Sequence, residues 1–212
     1  MSAGKTVNWN QAAPFALVTV FGSESYLASR ASARIRAELR NAHPDLEISE
    51  VSEGEYSSGL LLSLASPSLF GESRLVLITG APEELAVDME RYLVEPNPDC
   101  TVVVRLPNLV GHNGKFKTKF LKQALNISCE ELKRDNDKLD FIKGEFQAAN
   151  VGIDAQAARL LLQAFGNDLG ELGAACSQLA SLGKAKVTAE DVEVTFGGRV
   201  ETNAFKIADA AM

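Results

Sequence analysis

The chain has 212 residues, 46% hydrophobic and 23% charged, with a net charge of −7 and 7% aromatic side chains. This is an ordinary composition for one or two globular domains, and it excludes a protein that holds nucleic acid by bulk positive charge alone. No apolar run approaches the roughly 20 residues of a membrane span, and the first nine residues lack the charged-then-apolar pattern of a signal peptide.

The elements alternate along the chain. "FALVTVF" (15–21) is a short β-rich run bounded by Pro14 and Gly22. In "ESYLASRASARIRAELR", Leu27, Ala31, Ile35 and Leu39 recur at i, i+4, i+8 and i+12, which predicts an amphipathic helix. "LEISEVS" reads as a second or edge strand, "YSSGLLLSL" as a helix and "RLVLIT" as a buried strand. "PEELAVDMERYLV" opens on Pro82 with acids in its first turn and stops before Pro96, as a helix does. "TVVVRL" (101–106) is the most β-branched run, "KFKTKFLKQAL" is helical, and "ISCEEL" reads as a last strand. Strands alternating with helices imply βαβ units and a mostly parallel sheet.

From about Asn136 the strand signal stops. Four short helices follow, in "DKLDFIKGEFQAAN", "DAQAARLLLQAF", "DLGELGAACSQLASL" and "TAEDVEVTF". Asp168 is a good N-cap, and Thr188 with Asp191 three residues on resembles a capping box. The expected organisation is an α/β domain over 1–135, a small helical domain over 136–200, and the start of a further helix over 201–212, with the first boundary in 132–138. There are no internal repeats or low-complexity segments.

An α/β domain followed by a helical lid is the shape of many nucleotide-hydrolysing machines, so the phosphate loop is the first motif to seek. Gly4-Lys5-Thr6 matches the end of GxxxxGK[ST], but no first glycine or strand precedes it, and a loop at the extreme N-terminus is not expected to join the sheet. Gly111-His112-Asn113-Gly114-Lys115 precedes a helix, yet Phe116 stands where a magnesium-binding hydroxyl is needed. The loop after the first strand, "FGSESYL", offers one glycine, no lysine and an acid, Glu24, which repels phosphate at a helix N-terminus. No strand ends on the Asp or Asp-Glu pair that would hold magnesium. The frame is that of an NTPase without the NTPase.

No other catalytic set fills the gap: there is no GxSxG, no HExxH and no cysteine with an evident histidine partner. Cys100, Cys129 and Cys176 are odd in number and far apart, two of them in apolar or strand-like runs, so buried free thiols in a reducing cytoplasm are expected. Without a CxxC, and with His43 and His112 both beside turn residues, no metal or other cofactor is expected.

One short stretch resists a structural explanation. "ASPSLFGES" (65–73) puts Pro67, Leu69, Phe70 and Gly71 between a helix and a strand. Proline ends a helix and Gly71 permits a sharp turn, so Leu69 and Phe70 belong at a corner. They either fold back under the sheet edge or anchor a partner, at about 1.5–3 kcal/mol for each apolar side chain moved out of water.

At these residues the chain resembles a family. "FGSESYLASRASARIR", "SPSLFGESRLVLI", "YLVEPNPDCTVVV" and "GNDLGELGAACSQLASL…VTAEDVE" are similar, in order and separation, to the delta subunit of bacterial DNA polymerase III, the clamp-loader subunit that opens the sliding clamp. The G-x-E-x-Y-L turn (Gly22, Glu24, Tyr26, Leu27) and the S-L-F-G-E-x-R-L corner (68–75) carry the resemblance together. It implies an AAA+-like α/β domain that has lost ATP binding, then a helical lid. It also implies a collar domain of which "FKIADAAM" looks like the first turns, so that a fragment of a longer protein is expected.

The resemblance further implies that Leu69 and Phe70 insert into a hydrophobic pocket of the clamp, with Ser68 shaping the turn. Where the family carries a third apolar anchor, this chain has Pro67, which is smaller and rigid. The implied activity is not enzymatic by itself: a component of the polymerase III holoenzyme biases the clamp toward opening, and the ATP enters through neighbouring motor subunits. The implied partners are the sliding clamp (beta subunit), the gamma/tau motors and delta-prime, mainly through the collar, and primed DNA, in a cytoplasmic replisome with no membrane contact.

DNA contact has its own residue pattern. Lys115, Lys119 and Lys122 fall at i, i+4 and i+7 on one face of "KFKTKFLKQAL", with Lys117 extending the patch, while Phe116, Phe120 and Ala124 share a core-facing side. The stripe reads equally as a solvated helix face, and so do Arg30, Arg34, Arg36 and Arg40 on the first helix. Two rival readings remain open. A delta-prime-like loader subunit would bring a cysteine-rich zinc module, and a nucleotide-binding α/β enzyme would need the missing phosphate loop.

Overall fold

The computed structural model describes the backbone of residues 3–106 and 120–210, and side chains as far as Arg199. The chain divides into two compact units, residues 1–131 and 132–212.

The first unit is built on a six-stranded sheet. Its strands are β1 (Thr6–Asn8), β2 (Leu17–Phe21), β3 (Glu47–Ser52), β4 (Arg74–Thr79), β5 (Cys100–Leu106) and β6 (Leu125–Ser128). They lie in the order β1-β6-β2-β5-β4-β3, every neighbouring pair parallel. Parallel strands covered on both faces read as continuous apolar runs, which is why "LVTVF" and "CTVVVRL" carry so little alternation.

The helix α1 (Ser25–Ala42) buries Leu27, Ala31, Ile35 and Leu39, the predicted stripe, together with Ala28. On the opposite face, α2 (Leu60–Leu64) and α3 (Glu83–Tyr92) pack Leu61, Leu85, Met89 and Tyr92 onto Val76, Ile78, Val102 and Val104. Phe120 and Ala124 join this cluster, as their shared helical face predicts. Phe116 lies outside the described residues.

In the first unit, β6 spans Leu125–Ser128, mostly ahead of the strand expected over "ISCEEL", and two other elements differ from expectation. The helix predicted over "YSSGLLLSL" is confined to Leu60–Leu64. The buried carboxyl of Asp88 on α3 accepts from Tyr56 Oη at 2.8 Å and from the Gly59 backbone N–H at 2.7 Å. Gly59 meets it in the left-handed region, at φ +85°, which stops helix from extending toward Tyr56. The second difference is β1. Gly4-Lys5-Thr6 does join the sheet: the Gly4 N–H donates to Ala124 O at 2.8 Å, the Asn126 N–H donates to Lys5 O at 2.9 Å, and Val7 pairs with Ile127. A three-residue edge strand with one apolar side chain leaves no period to read, and its pairing with β6 is what orders it.

The second unit contains α4 (Asp135–Ala148), α5 (Ala155–Phe165), α6 (Leu169–Ala180) and α7 (Ala189–Ala210). Asp154 and Asp168 cap α5 and α6, accepting from the N–H groups of Ala157 and Glu171 at 2.6 and 2.8 Å. Asp191 accepts from both the N–H and the hydroxyl of Thr188, at 2.9 and 3.0 Å, in the expected cap of α7. The backbone of α7 breaks its helical geometry at Phe196 (φ −131°, ψ 17°), whose ring meets Phe165 edge-on at 5.0 Å. A short parallel pair, β7 (Gly152–Ile153) with β8 (Lys186–Val187), ties α5 to α7; two-residue strands fall below what sequence periodicity resolves.

Candidate interaction site

The corner between α2 and β4 is a fixed structure. It begins where α2 closes, with the Ala65 N–H donating to Leu61 O at 2.8 Å. Arg74, the first residue of β4, reaches back and donates through Nη1 to the carbonyls of Leu64 and Ser66, at 3.2 and 2.8 Å. A cation at a helix C-terminus satisfies carbonyls that the helix leaves open. The Nε of Arg74 faces Glu47 at 3.0 Å, so the same side chain braces the corner against β3. From the loop after α3, Asn97 Nδ2 donates to Ala65 O at 3.1 Å.

Within the corner, Ser68 organises the turn. Its hydroxyl donates to the Glu72 carboxylate and accepts from the Phe70 N–H at 3.1 Å. Gly71 follows at φ +78°, a region in which a side chain is strained, although nothing lies within 4 Å of where a Cβ would stand. The turn therefore selects glycine for its backbone.

This frame holds Leu69 and Phe70 out in solvent, 96% and 87% exposed. The fold-back alternative is excluded by that exposure. Pro67 is exposed beside them and Ser68 is half-buried. Val94, just past α3 in the loop that Asn97 ties to the corner, is 85% exposed. Exposed pairs of large apolar side chains on a braced turn are the pattern of a partner-binding surface, since burial gains nothing for them within the chain.

The corner lies at the amino ends of β3 and β4, where the Glu47 N–H donates to Ser73 O at 3.0 Å. The carboxyl end of β2, where a phosphate loop belongs, is built differently. Gly22 has φ +133°, and a Cβ there would stand 2.2 Å from the Cys129 carbonyl. Glu24 then caps α1, its carboxylate accepting from the Tyr26 N–H at 3.1 Å. The helix N-terminus that would receive an anion already holds one of its own.

Of the remaining sequence candidates, Gly111 to Lys115 and the lysines Lys115, Lys117 and Lys119 lie outside the described residues. Lys122 is exposed. All three cysteines are buried, and none forms a disulfide among the described residues. Burial pushes the thiols of Cys100 and Cys129 up to about 11 and about 12, which removes nucleophilic thiolate at neutral pH. Sequence reasoning assigned no bracing role to Asn97, nor to Glu72 and Arg74, although these two stand in the S-L-F-G-E-x-R-L motif. Glu72 meets Ser68 within the turn, but the carbonyls held by Arg74 and Asn97 lie further along the chain, where no spacing rule connects them; the turn-rich "PNPD" was the local hint at Asn97.

Comparison with known proteins adds the following. The family model described as "DNA polymerase III, delta subunit" matches residues 19–130. Among solved structures, the Bacillus subtilis DNA clamp loader delta protein (YqeN) superposes with a TM-score of 0.68 at 21% identity, over 86% of this chain and 58% of that one. A Thermotoga maritima RuvB variant gives 0.52 at 12% identity, over 85% and 61%. The T. maritima RuvB Holliday junction branch migration motor gives 0.50 at 14%, again over 85% and 61%. The chain thus spans less than two thirds of the length of each of these structures. No curated protein sequence matches it significantly.

Proposed function

The chain belongs to the DNA polymerase III delta-subunit family, and from that premise we propose that it is a clamp-loader component, non-catalytic by itself, that binds and opens the sliding clamp. The observation that carries the reading is the exposure of Leu69 and Phe70 on a turn fixed by Ser68, Arg74 and Asn97. Such a turn is already ordered, so docking it into an apolar pocket loses little conformational entropy. Two side chains of this size contribute on the order of 1.5–3 kcal/mol each when they leave water. Pro67 extends the apolar surface without a flexible third anchor.

Clamp opening is then a matter of differential affinity. A rigid corner that fits a distorted ring better than a closed one shifts the ring toward opening by the difference in binding free energy, and by no more than that. ATP would act through the motor subunits gamma/tau, and delta-prime and primed DNA would complete the assembly. The Glu24 cap on α1 supports a subunit that takes no nucleotide at the usual place in this AAA+-like frame. Calorimetric titration of the chain with the sliding clamp, beside the double variant Leu69→Ala/Phe70→Ala, tests the site. Equal affinity of the two proteins would refute it.

A further inference from the structure

A groove of about 610 Å³ runs along α1 on the face of the sheet opposite α2 and α3. Its near wall is α1 itself, through Ser29, Ser32, Arg36 and Arg40. Its far side is formed by Glu50 of β3, Thr79 of β4 and Arg105 of β5. These three share one face because Glu50 pairs with Leu77, and Thr79 pairs with Arg105, in the sheet register. The lining holds three arginines against one carboxylate, in a chain whose net charge is −7.

The four arginines of α1 divide into two pairs. Arg30 lies over the rings of Trp9 and Tyr26, at 5.4 and 5.7 Å, and Arg34 pairs with Glu38 at 3.0 Å and donates to Asn10 O at 2.7 Å. Both serve contacts inside the unit. Arg36 and Arg40 turn to the groove. Arg36 pairs with Glu50, but its Nε is closed off from solvent with no hydrogen-bond partner among the described residues. Arg40 is exposed and makes no ion pair among the described residues. Among the described residues, Arg105 donates to Ser25 O at 3.2 Å and to Ser29 Oγ at 3.4 Å. The sheet brings it into the same groove as Arg36 and Arg40.

We propose that this groove binds phosphate groups, either along the backbone of single-stranded nucleic acid or in a free polyphosphate. Guanidinium groups match phosphate oxygens two at a time, and the small side chains Ala33 and Ala37 leave room between Arg36 and Arg40 for the anion to approach. The volume is within the usual range of ligand pockets. The groove runs from Arg105, whose Nη2 donates to Ser25 O in the first turn of α1, to Arg40 near the helix's other end. It is also independent of the Leu69–Phe70 corner, so neither site's failure bears on the other.

The test uses the whole chain, with a fluorescein-labelled oligothymidylate followed by anisotropy across a salt series, and tripolyphosphate followed by calorimetry. Three arginines on single-strand phosphates give a log–log salt slope of about −2, at roughly −0.7 per phosphate. Arg40→Gln, at an exposed side chain whose loss leaves the fold intact, should weaken binding several-fold and flatten the slope by about 0.7. Arg105→Gln should do the same, and Arg34→Gln, on the other side of the helix, should leave binding as it was. Arginine-dependent binding of the oligonucleotide identifies a nucleic-acid backbone as the ligand, and arginine-dependent binding of tripolyphosphate alone identifies a free polyphosphate. Binding of neither probe, or binding that Arg40→Gln and Arg105→Gln leave unchanged, overturns the proposal.

Discussion

The side-chain amide of Asn97 donates to the backbone carbonyl of Ala65 across 3.1 Å, and this bond fastens the loop after α3 to the end of α2. Asn97 is buried, and its Oδ1 accepts from the Asp99 N–H at 3.0 Å, so both ends of the amide are used. Asn97→Ala takes this donor from the buried carbonyl of Ala65, at a cost of about 1–3 kcal/mol. Urea denaturation should show the midpoint falling with little change in slope. On the proposed function, clamp affinity should fall as well, because the corner loses a brace.

Leu69→Ala/Phe70→Ala should leave stability within about 0.5 kcal/mol of the parent, since fully exposed side chains contribute little to the folded state. Truncation of two core residues would instead cost about 2–5 kcal/mol each. Thermal melting of the double variant separates these outcomes, and a large drop would mean that the corner packs against the chain in solution.

Tyr56 and Asp88 give the first unit an alkaline limit. Burial first, and the hydrogen bond to Asp88 second, push the Tyr56 hydroxyl well above its ordinary value near 10. The folded chain therefore keeps a proton that the unfolded chain releases. Stability from this group is complete below about pH 10 and declines as pH rises beyond it. Tyr56→Phe should cost about 1–3 kcal/mol at neutral pH, by stripping a donor from a buried carboxyl. It should also make the fall above pH 10 shallower, with burial of Tyr92 supplying what remains. Denaturant midpoints measured between pH 8 and 11 check both effects.

Two glycines with positive φ should respond differently to alanine. Gly71 faces open space at φ +78°, so Gly71→Ala pays only the left-handed penalty of about 1–2 kcal/mol. Gly22, at φ +133°, meets the Cys129 carbonyl 2.2 Å from its would-be Cβ, and backbone cannot step aside as a side chain can. Gly22→Ala should be the more damaging of the two, separating the ends of β2 and β6. A matched pair of thermal melts that ranked them the other way would contradict this account.

The long elements were legible because each carries its own period. The stripe Leu27, Ala31, Ile35, Leu39 needs nothing outside α1 to be read, and "TVVVRL" can be little other than a buried strand. The caps at Asp168 and Thr188 were legible for the same reason, since donor and acceptor lie within three residues. Elements whose cause lies elsewhere were not. β1 exists because β6 pairs with it, β7 because β8 does, and α2 is short because Asp88, 29 residues beyond Gly59, takes the Gly59 N–H.

The corner shows the same division. By itself the sequence determined that Pro67 and Gly71 break the chain around Leu69 and Phe70, because proline and glycine act through local backbone geometry. It also carried the motifs by which the family is recognised. Tertiary structure alone decided that the pair faces solvent, since that depends on Arg74 and Asn97 gripping the carbonyls of Leu64, Ala65 and Ser66 from distant strand and loop. It alone brought Arg105 into one groove with Arg36 and Arg40 as well, because parallel register, which no local pattern encodes, sets which residues of different strands share a face.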